Sequence, residues 1–190
     1  MDVDTTNNGA AQRRRRRAAA TAASPDDRER LTADLARHIA RRERTCREAI
    51  DYLVRRGYRA DLVEEAVNMA VTQGLIDDRR YADMYVRDRR RLRPMSRWAL
   101  VRELEQKGVG PEAAKDAVAA SEPPWDDLTM ALEALSDRYR RWPADSRWRK
   151  ASGFLQRRGF SSAIIRAALE RAAAQDEDSS DSAEGYTRGR

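Results

Sequence analysis

The chain has 190 residues, with 38 basic and 32 acidic side chains and a formal net charge of +6. Charged residues make up 37% and apolar residues 41%, against about 25% and about 45–50% in an average globular domain, so a modest core lies beneath a dense ionic surface. One cysteine (Cys46) excludes a disulfide framework and a four-cysteine zinc site, one histidine (His38) excludes a His-rich metal site, and no apolar run approaches the ~20 residues of a membrane span.

A basic balance points to an acidic partner such as nucleic acid, an anionic membrane or an acidic protein face. Arginine supplies nearly all of it, with lysine only at Lys107, Lys115 and Lys150. Genome base composition can produce that bias, so arginine richness alone carries no functional weight. The arginines near the N-terminus come without an apolar segment, which excludes a secretory signal, and the single cysteine suits a reducing cytoplasm.

In chain order, residues 1–23 read as a disordered basic tail around Arg13–Arg17, either solvated or a nucleic-acid arm. Ser24 and Pro25 open a first helix as N-cap and N1. Gly57, Gly108 and Gly159 then punctuate the chain at a constant spacing of 51. Each glycine follows a leucine four residues back (Leu53, Leu104, Leu155) and precedes an apolar residue (Tyr58, Val109, Phe160). That is the pattern of a Schellman turn, with glycine at the left-handed C′ position. Arg55, Arg56, Lys107, Arg157 and Arg158 sit in the last turns, where the helix dipole favours cations.

A further helix is expected after each glycine, opened in the second copy by Gly110-Pro111 and in the third by Ser161. Upstream of the second and third glycines, Asp77 and Asp126 read as N-caps, with Ile76 over Tyr81 and Trp125 over Met130 as hydrophobic staples. Pro94 and Pro143 are expected to end those upstream helices. No stretch sustains period-two alternation. The fold class is therefore all-α: three tandem three-helix repeats, at 25–74, 75–123 and 124–174, stacked into an elongated curved array. Residues 175–190, rich in acids and serine, read as a disordered acidic tail.

The segment from Gly74 to Arg89, GLIDDRRYADMYVRDR, followed by Arg102-Glu103-Leu104-Glu105-Gln106-Lys107-Gly108-Val109, resembles the signature of the RecX regulatory proteins. The resemblance covers about residues 27–174. It departs from the expected pattern at Tyr81, where phenylalanine is usual, and in Arg93-Pro94-Met95-Ser96, which lacks a usual glycine. It implies a cytoplasmic bacterial protein that binds the RecA recombinase filament on single-stranded DNA and inhibits it. No cofactor is implied, and a monomer is the default expectation. The other reading is a helical module that binds nucleic acid directly, since three-helix units resemble helix-turn-helix domains.

The best functional candidates are the basic clusters at the junction of the first and second helices of each repeat. They are Arg37, Arg41, Arg42, Arg44 and Arg47; then Arg87, Arg89, Arg90, Arg91, Arg93 and Arg97; then Arg138, Arg140, Arg141, Arg147, Arg149 and Lys150. Repeated at one station, they would form a basic stripe suited to a polyanion or an acidic filament groove. Trp98, Trp142 and Trp148 lie beside these clusters, as base-stacking platforms or packing residues. Asp77 and Asp78 could suggest acid–base or metal chemistry, but a helix start already accounts for them. Tyr81, Tyr85 and Val86 read as core. There is no P-loop, dinucleotide fingerprint or paired nucleophile and base, so an enzyme is not expected.

Overall fold

The computed structural model describes residues 24–136 and 138–185, with side chains as far as Asp176. The basic tail expected over 1–23 lies outside the described residues. Among those described, every regular element is a helix. The chain forms two compact units, one ending at Asp77 and one beginning at Asp78.

The first unit holds α1 (Pro25–Ile39), α2 (Cys46–Arg55) and α3 (Ala60–Thr72). Ser24 caps α1 by accepting from the Asp27 amide, with Pro25 in the first turn. Thr45, fully buried, caps α2 through the Glu48 amide at 3.0 Å, a cap the sequence reading did not single out. Leu31, Leu35, Ala49, Leu53, Val63, Val67 and Ile76 close one core.

The second unit holds the other two repeats. These are α4 (Asp78–Leu92), α5 (Arg97–Gln106) and α6 (Pro111–Ala119), then α7 (Asp127–Leu135), α8 (Ala144–Gln156) and α9 (Ser162–Gly185). In each repeat the third helix packs on the first and on the second. The two repeats share one continuous core, running from Tyr81 and Val86 through Leu100, Leu104 and Trp125 to Leu155 and Leu169. A three-helix unit of this size buries little apolar surface alone, and fusing two cores gains more.

The three glycine turns form as the pattern requires. Gly57, Gly108 and Gly159 have φ of +87°, +94° and +81°. The amide after each glycine donates to the leucine carbonyl five residues back: Tyr58 to Leu53 at 3.3 Å, Val109 to Leu104 at 3.1 Å, Phe160 to Leu155 at 3.3 Å. The three leucines are fully buried, each side chain contributing about 1.5–3 kcal/mol of hydrophobic free energy. Gly74 makes a fourth such turn, with Leu75 donating to the Ala70 carbonyl at 2.8 Å.

Two details differ from the sequence reading. The helix expected to end at Pro143 stops at Leu135, and a 3₁₀ turn, Tyr139–Arg141, follows. The tighter turn brings Tyr139 back into the core. At the other end α9 runs past 174 to Gly185. Ala172, Ala173, Ala174 and Gln175 are strong helix formers and carry the helix beyond the compositional boundary.

Candidate nucleic-acid and filament interface

The junction between first and second helices is the station where the sequence places its arginines, and it is built alike in each repeat. Two residues four positions apart come from the C-terminal part of the first helix or the turn just after it, and two more from the C-terminal end of the second. In the first repeat these are Asp34 and His38 with Tyr52 and Arg56. In the second they are Tyr85 and Arg89 with Glu103 and Lys107. In the third they are Ala134 and Arg138 with Phe154 and Arg158.

In the first repeat a buried carboxylate holds the station. Asp34 receives Arg56 Nε at 2.7 Å and the Tyr58 hydroxyl at 2.8 Å, and also pairs with Arg37. The Tyr58 hydrogen bond, opposed by burial and helped by Arg56 and Arg37, holds the Asp34 carboxyl below its ordinary range. His38 stacks on Tyr52 with ring centroids 3.9 Å apart. Burial, then the nearby Arg44, lowers the His38 pKa.

In the second repeat Glu103 plays the same part from the opposite helix. It accepts from the Tyr85 hydroxyl at 2.7 Å and from Arg89 Nε at 2.9 Å, with Arg93 at 3.8 Å. Arg89 also donates to the Tyr85 hydroxyl and lies over its ring. Burial raises the Glu103 pKa, but hydrogen bonds from Tyr85 and Arg89 outweigh it and leave the carboxyl below its ordinary value. Tyr85 is pushed well up, by burial first and then by Glu103, and stays a neutral donor.

In the third repeat the station has no carboxylate among the described residues. Arg138 and Arg158 lie against the Phe154 ring at 5.4 and 4.5 Å, and Arg158 donates to the Pro94 carbonyl at 2.6 Å. Burial, then Arg93 and Arg138, lowers the Arg158 pKa.

The structure sorts the sequence candidates into tied and open cations. Arg42 and Arg44 share Glu48 at 3.5 and 3.7 Å. Arg89 and Arg93 share Glu103. Arg90 donates to the Pro123 carbonyl and lies over Trp125, while Arg97 donates to the Trp125 carbonyl at 2.7 Å, so both bind the second repeat to the third. Arg140 meets Asp176 at 2.7 Å, and Arg147 pairs with the same carboxylate. Arg87 is exposed, its Nε reaching the Asp83 carbonyl at 3.3 Å. Arg41, Arg91, Arg141, Arg149 and Lys150 are exposed and form no ion pair among the described residues. Of the tryptophans, Trp98 and Trp148 are exposed and Trp142 packs edge-on against Phe154. Asp78 stands in the first turn of α4, Asp77 just before it, and Tyr81 is buried.

Arg158 is the cation that the junction clusters omitted. Arg158 already had a role at the end of its helix, and the missing carboxylate among the described residues emerges only when the contacts of the three stations are compared. No cluster of potential metal ligands occurs among the described residues, and none of their helices is long and apolar enough to cross a membrane.

An all-helical chain of three-helix repeats carrying arginine clusters at one recurring station defines a helical-repeat protein of the helix-turn-helix type, a class that meets its partners through surfaces. Profiles of the second and third three-helix domains of RecX match residues 77–118 and 126–169. The regulatory protein RecX of Halorhodospira halophila is 36% identical over 147 residues, covering 75% of this chain and 86% of the relative. That of Trichlorobacter lovleyi is 31% identical, covering 71% and 90%. The crystal structure of RecX from Lactobacillus salivarius superposes with a TM-score of 0.62 at 23% identity, over 78% of this chain and 97% of that one. The chain belongs to the RecX regulatory protein family.

Proposed function

We propose that this protein is a non-enzymatic regulator that binds the RecA recombinase filament on single-stranded DNA and inhibits its ATPase and recombination activity. It acts in the cytoplasm as a monomer. The observation that carries this reading is the alignment with regulatory RecX proteins over some three quarters of the chain. The arginine clusters of the three junctions face the filament in this reading, and the exposed cations Arg41, Arg91, Arg141, Arg149 and Lys150 are the first to test. Cations already tied to a carboxylate contribute less, because binding must first break a local pair.

The test is the single-stranded-DNA-dependent ATPase of RecA, titrated with the full chain, beside a DNA-only control. The expected result is half-inhibition well below one protein per recombinase monomer, with affinity for DNA alone much weaker than for the filament. Absence of inhibition, together with tight and salt-sensitive binding to DNA alone, would instead identify a helical module that binds nucleic acid directly.

A further inference from the structure

Between the second and third repeats lies an open cleft of about 440 Å³ whose walls carry Arg90, Arg91, Pro94, Glu133, Arg138 and Arg158. We propose that this cleft is a phosphate site that seats the backbone of a nucleic-acid strand. The inference deepens the proposed function and rests on it for which strand is bound, but the site itself is argued from the cleft.

The argument begins with the comparison of the three stations. Asp34 supplies a carboxylate to the first and Glu103 to the second. At the third, Ala134 and Phe154 occupy the equivalent places, and both cations remain. Arg91, Arg138 and Arg158 have no carboxylate partner among the described residues. Glu133 stands on the same wall without forming an ion pair there. Among the described residues, four guanidiniums against one carboxylate leave the cleft cationic. Arg158 is partly withdrawn from water beside Arg93 and Arg138, so like charges are held together at a cost that a bound oxyanion relieves.

The shape and chemistry favour a phosphate strand over an acidic protein segment. The planar fork of arginine fits phosphate oxygens two at a time. Protein partners ordinarily anchor through aromatic or aliphatic side chains in desolvated pockets. The apolar atoms of these walls come from Leu92, Pro94 and Ala134, with no deep apolar pocket among them. Interfaces with nucleic acid are more polar and more positively charged, as this one is.

The experiment measures binding of a labelled 20-nucleotide oligo(dT) to the full chain by fluorescence anisotropy across a salt series. The variant Arg91→Gln/Arg138→Gln removes two exposed cations. It is expected to bind about ten-fold more weakly and to flatten the slope of log affinity against log salt by about 1.4. Arg30→Gln, which breaks an exposed pair with Asp26 far along the sequence, serves as the control and leaves both quantities unchanged. Arg158→Gln is the second variant, with circular dichroism to confirm its fold, and loses affinity in the same direction.

Unchanged affinity and slope in Arg91→Gln/Arg138→Gln would overturn the proposal. So would tighter binding of a 20-residue polyglutamate, lost in the same variant, because the occupant would then be an acidic protein segment. Loss of oligo(dT) binding in the variant, with no RecA inhibition by the wild type, would support the cleft while overturning the regulatory reading. The two failures are thus separable.

Discussion

Gly57 and Gly159 occupy the same turn in different repeats, and replacing each with alanine separates two physical costs. Both have φ near +80 to +90°, a conformation that costs an L-residue about 1–2 kcal/mol. A Cβ on Gly57 meets nothing within 4 Å. A Cβ on Gly159 would stand 2.7 Å from the Ala99 Cβ and 2.8 Å from the Ser96 Oγ. Neither neighbour yields readily. Ala99 has no side-chain torsion to relieve the overlap, and Ser96 is buried and caps α5 through the Ala99 amide at 3.1 Å. Overpacking of this kind adds about 1–3 kcal/mol. Gly57→Ala should therefore cost about 1–2 kcal/mol and Gly159→Ala about 2–5 kcal/mol.

Urea unfolding reads the difference. All four tryptophans lie in the second unit, so their fluorescence follows the unit that contains Gly159, while circular dichroism follows the whole chain. With a slope of about 2 kcal/mol per molar urea, Gly159→Ala should lower the fluorescence midpoint by about 1–2.5 M. The double variant Ala99→Gly/Gly159→Ala, placed in a cycle with its single variants, should recover part of that overpacking cost of about 1–3 kcal/mol as coupling, the Ser96 contact remaining. Equal losses at Gly57 and Gly159, or zero coupling to Ala99, would refute the close-approach argument.

Two further predictions concern the stations. Glu103→Gln strips the half-buried Arg89 of its counter-charge and should destabilise the second unit by about 1–3 kcal/mol at neutral pH. Because the folded Glu103 pKa lies below its unfolded value, its contribution is fully present above the unfolded pKa and fades as pH falls through the folded one. The gap between wild type and variant should accordingly close on acidification, and a gap that persists at pH 2–3 would count against the reading. His38 is also held below its unfolded pKa, so the folded state favours neutral imidazole, and stability from this group is lost as pH falls through the folded value. The imidazole should titrate below the ordinary value of about 6.5 by NMR, and His38→Gln should weaken the pH dependence of the first unit just below that value. A His38 titration at or above the ordinary value would contradict the stacked, buried geometry.

Much of the local architecture was legible in the linear chain. Glycine at C′, leucine at C3 and an apolar C″ make contacts within six residues, so the three Schellman turns follow from local sterics alone. The Ser24 and Asp126 caps follow equally from local hydrogen bonding, and the start at Gly110 from the fixed φ of Pro111. Tertiary structure decided which repeats share a core, because that depends on apolar faces meeting across long sequence separations. It also decided which arginines remain open. Arg89 and Arg91 are alike in sequence and two residues apart, yet one faces Glu103 and the other faces solvent. The cationic cleft lies furthest from what the sequence shows, since Arg91, Arg138 and Arg158 meet there only after folding. Its positive charge is left uncompensated because the first two repeats supply a carboxylate from different helices and the third, among the described residues, does not. That absence has meaning only once the three stations are compared in space.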